Sequence, residues 1–331
     1  MQIFGRNRAR RVVRDLYRAI LGREPDLEGA RAYEELIREI GPERAIPRML
    51  EAFHRSAEYR ARADSLAVSY INGRLASQGN ELINGRPVAH LASLGSYCLP
   101  ALIFRDNGLR RYSLPFDWIF STPPMVRDCL ANDFGLFLDR RYYRSLSHGR
   151  KEPGADHQLY REHYNVPSLF AHRDPTRETD YLYFTRCVAR FRQLMRSEDT
   201  KLFLVIGRPN HDLVNEFTLL LESLTRSTTN FVLLGVELLD PTEPGLTTLV
   251  PLVRLGQHGL YRFTPSSYNA EGGFLPDKID EWTILRLIYR YKLELKDSLG
   301  SESSAPQSPL HAIESSSDCD EQEQSLPSTL T

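Results

Sequence analysis

The sequence predicts an α/β fold: a mainly parallel sheet with helices on both faces, preceded by a small all-helical domain. Three observations carry this. Apolar residues in the first 75 positions recur only at helical spacing. From Val88 onward, short continuous apolar runs alternate with helical stripes, the order of βαβ units whose strands are covered on both faces. The chain has 331 residues, of which 41% are hydrophobic, enough for a packed core and for two domains. No stretch of about 18 apolar residues occurs, so no membrane span is expected.

Charge narrows the partners. A net charge of -1 and a mean hydropathy of -0.40 describe an ordinary soluble chain with no general affinity for nucleic acid. Arg6, Arg8, Arg10, Arg11, Arg14 and Arg18 crowd the N-terminus and read first as the solvated face of a helix. Acidic residues gather after Asp318. Cys98, Cys129, Cys187 and Cys319 show neither zinc-knuckle nor CxxC spacing, and the start MQIFGRNRARR lacks the apolar core of a secretory signal. A reducing, cytoplasmic setting is the expectation.

Residues 1–75 read as helices. Val12, Val13, Leu16, Ile20 and Leu21 form one stripe, ended by Gly22. Tyr33, Leu36, Ile37 and Ile40 form a second, stopped by Gly41-Pro42. Ile46, Met49, Leu50 and Phe53 form a third. The pattern LYRAILGREPDLEG, followed by Phe53, Ser56, Glu58 and Tyr59, resembles a bacterial accessory module of unknown function, distantly like phycobilisome linker domains. The resemblance covers residues 10–65 and implies a protein partner rather than catalysis. In physical terms LGR-x-PD is a helix C-cap followed by an Asp N-cap.

Residues 76–87 read as a linker, with the turn dipeptides Gly79-Asn80 and Asn84-Gly85. The α/β domain is expected over 88–296. Its strands are predicted at Val88–Leu94, Val166–Ala171, Lys201–Ile206, Asn230–Val236 and Leu260–Thr264. Its helices are predicted at Cys98–Asn107, Met125–Asp133, Thr179–Arg196, Asp212–Thr225 and Ile279–Leu295. Residues 297–331 are rich in serine, proline and acid, and predict a disordered tail.

In an open α/β sheet, sites form at the carboxyl ends of strands. Ser96 and Cys98 follow the first predicted strand, at a strand-to-helix turn. Unpaired N–H groups and the helix dipole favour a thiolate there. His172 follows the second strand, Arg208, Asn210 and His211 the third, and Ser266, Ser267, Tyr268 and Asn269 the last. Cys98 with His172 is the nucleophile and base of covalent acyl transfer. Ser96 is an alternative nucleophile, or else a helix cap. Arg111, Asp117 and Trp118 lie in RRYSLPFDW, a loop that either lines the pocket or plugs the core. His157 and His163 are not at metal-ligand spacing, and no phosphate-binding glycine loop is present. No cofactor is expected.

The motifs SLGSYC (Ser93–Cys98), GLRRYSLPFDW (Gly108–Trp118), Phe134 with Phe137 and Leu138, His172, Arg186 with Arg190 and Phe191, and Trp282 with Ile284 and Leu285 resemble a domain family described as papain-like cysteine peptidases of unknown function. The resemblance spans about residues 88–290. It implies Cys98 as nucleophile and His172 as base. The orienting group is open between Asp117, Asp280 and Asn269. Arg111, Trp118, Arg208 and Asn210 are expected to line the pocket. The reading is a cysteine hydrolase acting on a peptide or amide bond. The alternatives are an SGNH-like esterase or glycan deacylase through Ser96, and a non-catalytic binding protein. The substrate is an unidentified peptide, acyl compound or glycan.

Overall fold

The computed structural model describes residues 6–146, 153–208, 212–241, 246–270 and 273–299. Four helices open the chain: α1 (Arg6–Leu16), α2 (Leu27–Ile40), α3 (Pro42–Arg55) and α4 (Ala57–Ala76). A single π-helical turn, Tyr17–Leu21, extends α1 and ends where Gly22 turns left-handed at φ 71°. Asp26 caps α2 by accepting the Gly29 N–H at 2.7 Å, and Ser56 caps α4 by accepting that of Tyr59 at 3.1 Å. Ala9, Val13, Tyr17, Ile37, Ala45, Met49 and Phe53 form their shared core. The forked Arg23 donates to both carboxylate oxygens of Glu58, at 2.5 and 2.9 Å. The two halves of the N-terminal motif therefore grip one another.

A five-stranded sheet follows. It contains β1 (His90–Ser93), β4 (Lys201–Gly207), β5 (Phe231–Leu238), β6 (Thr248–Leu255) and β7 (His258–Thr264), in the order β1-β4-β5-β7-β6. All neighbours are parallel except β6 and β7. A two-stranded antiparallel ribbon, β2 (Tyr143–Ser145) with β3 (Ala155–His157), stands apart. The faces of β4 alternate as a doubly covered strand requires. Phe203 and Val205 join a core that includes residues of α6 (Pro123–Ala131), α7 (Gln158–Tyr164), α8 (Glu178–Arg196) and α9 (Leu213–Ser227). Leu202, Leu204 and Ile206 join the opposite core with α5 (Leu99–Asp106) and α10 (Lys278–Ile288). The α/β architecture, mainly parallel and covered on both faces, is as the sequence predicts.

Two predicted elements differ, and one strand of the main sheet is absent from the prediction. Val166–Ala171 is not a strand. Val166, Leu169 and Phe170 are apolar because they are buried, but Pro167 lacks an N–H and Ser168 sits at φ 53°, so the segment makes only one bridge, Phe170 to Ala155. Strand β6 escaped prediction because it is a half-exposed edge with Pro251 and a register shift in its middle. The last helix stops at Ile288 rather than Leu295. Tyr289, Tyr291, Leu293 and Leu295 alternate at a strand period, and Tyr291 and Leu293 bridge to Glu81 and Val88. Residues 80–88 thus run beside 290–294. Of the expected acidic tail over 297–331, residues 300–331, with Cys319, lie outside the described residues, whereas Asp297 and Leu299 are within them.

Phe191 of α8 meets Phe116 and Phe134 with ring centroids 5.6 and 5.4 Å apart. It is fully buried and fastens α8 to the loop before α6. Phe191→Ala should cost about 3–5 kcal/mol in urea unfolding; a loss below about 1 kcal/mol would mean that this junction collapses without strain.

Candidate active site

The site begins where β1 ends. Gly95 takes φ 81°, and a Cβ on it would stand 2.1 Å from Ser121 Oγ, so only glycine fits this turn. The Ser96 carbonyl accepts the Ser121 N–H at 3.0 Å, which ties the turn to the segment before α6. Ser96 and Tyr97 are buried, and Cys98 emerges half-buried as the N-cap of α5. The Cys98 carbonyl accepts the Leu102 N–H at 2.9 Å, closing the first turn. Pro100, in that turn, has a fixed φ suited to a helix start.

His172 arrives by another route. Leu169 accepts the Phe120 N–H at 2.9 Å, and Phe170 and Ala155 exchange backbone hydrogen bonds at 3.0 Å. After His172 the chain folds around two carboxylates. Asp174 accepts the Ser145 hydroxyl at 2.5 Å and both the N–H and the hydroxyl of Thr176. Asp180, in the first turn of α8, accepts the Asp174 N–H at 2.9 Å and Arg173 at 3.0 Å. The outcome is a Cys98 Sγ to His172 Nε2 separation of 3.7 Å, with the imidazole exposed. Such a pair at a helix start can form a thiolate and shuttle one proton.

Residues 89–233 match a family model described as "Putative papain-like cysteine peptidase". The match is shorter than half of the 331-residue chain. It runs from β1 into β5 and so includes Cys98, Asp117 and His172, while the N-terminal helices, Asn269 and Asp280 fall outside it. No curated protein and no solved structure matches the chain.

Loops from other strands gather beside Cys98. Arg208, after β4, holds its guanidinium 5.2 Å from the Phe120 ring centre. The Tyr97 and Tyr268 hydroxyls neighbour each other and Arg208, and burial pushes both phenols up from their ordinary values. A Cβ on Gly273 would stand 3.1 Å from the Tyr97 ring, so the turn after Tyr268 lies against that ring. Tyr97 was missed in the sequence; an aromatic between two candidate nucleophiles carries no signal until the turn buries it.

The remaining predicted residues are placed as follows. Ser96 is 1% exposed, and its hydroxyl has no hydrogen-bond partner. Asp117 is buried, accepts the Leu114 N–H at 2.9 Å and lies 3.6 Å from Arg110. Asp280 is buried and accepts the Ser266 N–H at 2.8 Å, the Ser267 N–H at 3.1 Å, and the hydroxyls of Ser266 and Thr247. His172 is not among these partners of either carboxylate. Asn269 is exposed and pairs through its backbone with Phe274. The guanidinium groups of Arg105 and Arg110 lie over the Trp118 ring at 5.6 and 5.4 Å. Arg111 lies 3.5 Å from Asp297 and lines a cavity of about 280 Å³ with Asn72 and Tyr289; that cavity does not include Cys98 or His172. Asn210 and His211 fall outside the described residues. Cys129 and Cys187 are buried, and burial pushes their thiols up to about 12 and about 11. Among the described residues no three His, Cys, Asp or Glu side chains group as metal ligands.

Burial pushes the Asp117 carboxyl up to about 6, against the opposing pull of Arg110 and the Leu114 N–H. A folded pKa above the unfolded one means a stabilising contribution that is full below about pH 3.8 and lost as pH rises through about 6. Asp117→Asn should remove this slope, so that wild type loses up to roughly 3 kcal/mol relative to the variant between those values. Urea titrations across that pH range test it, and parallel curves would refute the assignment.

Proposed function

We propose that this protein is a cysteine hydrolase that cleaves a peptide or amide bond through Cys98, with His172 as its base. The observation that carries the reading is the 3.7 Å approach of Cys98 Sγ to His172 Nε2 at the start of α5. The family match over residues 89–233 supports it at the level of a cysteine peptidase.

In this mechanism the imidazole takes the thiol proton, and the thiolate attacks the substrate carbonyl, forming an S–C bond and an oxyanion. N–H groups at the helix start lack partners within the helix and stabilise the developing charge. In α5 these are Leu99 and Ala101, because Pro100 has no N–H. The imidazolium then protonates the leaving amine as the C–N bond breaks. Water, deprotonated by the same imidazole, adds to the thioester and releases the acid, returning the proton to the thiolate–imidazole pair. The chemistry requires a reduced Cys98, consistent with a cytoplasmic setting. The open position of His172 and the half-exposure of Cys98 suit a chain segment lying across the site better than an engulfed small molecule.

Ser96 lacks the two features a serine nucleophile needs: its hydroxyl is closed off from solvent and has no base within hydrogen-bond distance. Iodoacetamide labelling against pH tests the assignment. Cys98 should label with an apparent pKa well below the free-thiol value of about 8.5, and His172→Ala should move it back toward that value. A Cys98 that labels only after unfolding, with Ser96 taking a fluorophosphonate, would transfer the site to the esterase reading. Reaction with neither probe would favour a binding protein.

A further inference from the structure

The helix that carries Cys98 is held at its far end by the N-terminal helices. Asn72 of α4 is buried, and its Nδ2 donates to Asn107 Oδ1 at 2.7 Å. Asn107 is the C-cap of α5. Its own Nδ2 donates to the Ile103 carbonyl in the last turn of α5, at 2.8 Å, and to Glu281 on α10. Glu281 is itself buried and receives Lys278 Nζ at 2.8 Å. One amide thus joins α4, α5 and α10, about 14 Å along the axis from Cys98.

Packing by itself leaves α5 a degree of freedom. Leu99, Ile103 and Phe104 rest on the same core as Leu202 and Leu204 of β4. Apolar contact is non-directional, so it holds the helix against the sheet but resists axial sliding weakly. Hydrogen bonds are directional and fix that coordinate. Support from α4 is otherwise loose here, because a cavity of about 280 Å³, lined by Gly73, Ala76 and Leu109, opens beside the two asparagines.

The chemistry of Asn72 points the same way. Its Oδ1 is buried with no hydrogen-bond partner, a state that weakens the fold. A leucine would avoid that cost but leave Asn107 Oδ1 without its donor, so the exchange is close to neutral for stability. Stability therefore does not account for the asparagine, whereas its donor to Asn107 does.

We propose that Asn72 and Asn107 are positioning residues for Cys98: the N-terminal helices lock α5 along its axis and so set the Cys98–His172 separation. This rests on the Cys98–His172 reading of the site. It gives the helical segment a catalytic-support role exerted through one hydrogen bond.

The test uses the full chain and follows alkylation of Cys98 by iodoacetamide across pH. In Asn72→Leu the apparent labelling pKa should rise toward about 8.5, and the rate at neutral pH should fall roughly three- to tenfold. The melting temperature should change little, because the unpaired Asn72 acceptor goes while Asn107 Oδ1 loses its donor. A purely structural Asn72 would instead lower the melting temperature and leave the pH profile in place. Asn72→Asp keeps the shape but removes the donor; it should shift the profile in the same way and decides the matter should the leucine variant fail to fold. Wild-type profiles in both variants would overturn the proposal while the active-site reading stands. A wild-type Cys98 that already titrates near 8.5 would remove the active-site reading itself, and this proposal with it.

Discussion

The site depends on one tight turn. Between the last residue of β1 and the start of α5 the chain has five residues, 94–98, in which to leave a buried parallel strand and enter a helix. Gly95 makes this possible by turning left-handed against Ser121, where any side chain would collide. The turn is clamped from both sides. Ile206 of β4 donates its N–H to the Gly95 carbonyl at 3.4 Å, and Ser121 donates to Ser96 at 3.0 Å. With both ends fixed, Ser96 and Tyr97 are driven inward and Cys98 outward. Which of the two candidate nucleophiles, Ser96 or Cys98, approaches His172 is thus a consequence of backbone geometry.

The second half of the site follows a different logic. His172 hangs on an irregular segment that the sheet does not hold. Burial of Val166, Leu169 and Phe170 anchors the approach, and the carboxylates of Asp174 and Asp180 fix the departure. Charged side chains donating to or accepting from backbone groups replace the ladder that a strand would have supplied. Asp117, close in sequence to Trp118 and within a conspicuous PFDW motif, is engaged in holding its own loop to Leu114 and Arg110. Asp280 likewise joins the turn after β7 to α10. Residue type alone does not disclose such partners in a sequence.

Cations serve the same purpose at the opposite end of the sheet. Lys201, the first residue of β4, is buried and donates to the carbonyls of Ser197, Asp199 and Thr229 at 2.6, 2.7 and 3.0 Å. Burial pushes its ammonium down to about 8. Nearby, His90 bridges Asp199 and the Tyr112 hydroxyl. These contacts close the amino ends of the strands and leave the carboxyl ends as the edge where Cys98, Arg208 and Tyr268 gather.

The sequence by itself determined the fold class, because hydrophobic period is a local quantity. Helical stripes before residue 76 and continuous apolar runs at β4 and β5 report burial on one face or on two without knowledge of neighbours. It also determined the caps at Gly22 and Asp26, where one residue's chemistry satisfies its own chain end. Local pattern misled where it had two causes. VPSLFA is largely buried without being a strand, β6 is a strand without being buried, and the alternation from Tyr291 to Leu295 is extended rather than helical. Only the tertiary structure decided that Cys98 meets His172 across 74 positions, that Ser96 is closed off, and that Asn72 reaches Asn107. Each is a contact between residues far apart in the chain or a direction imposed by a turn. Such facts arise from how packed elements meet, which no local spacing encodes.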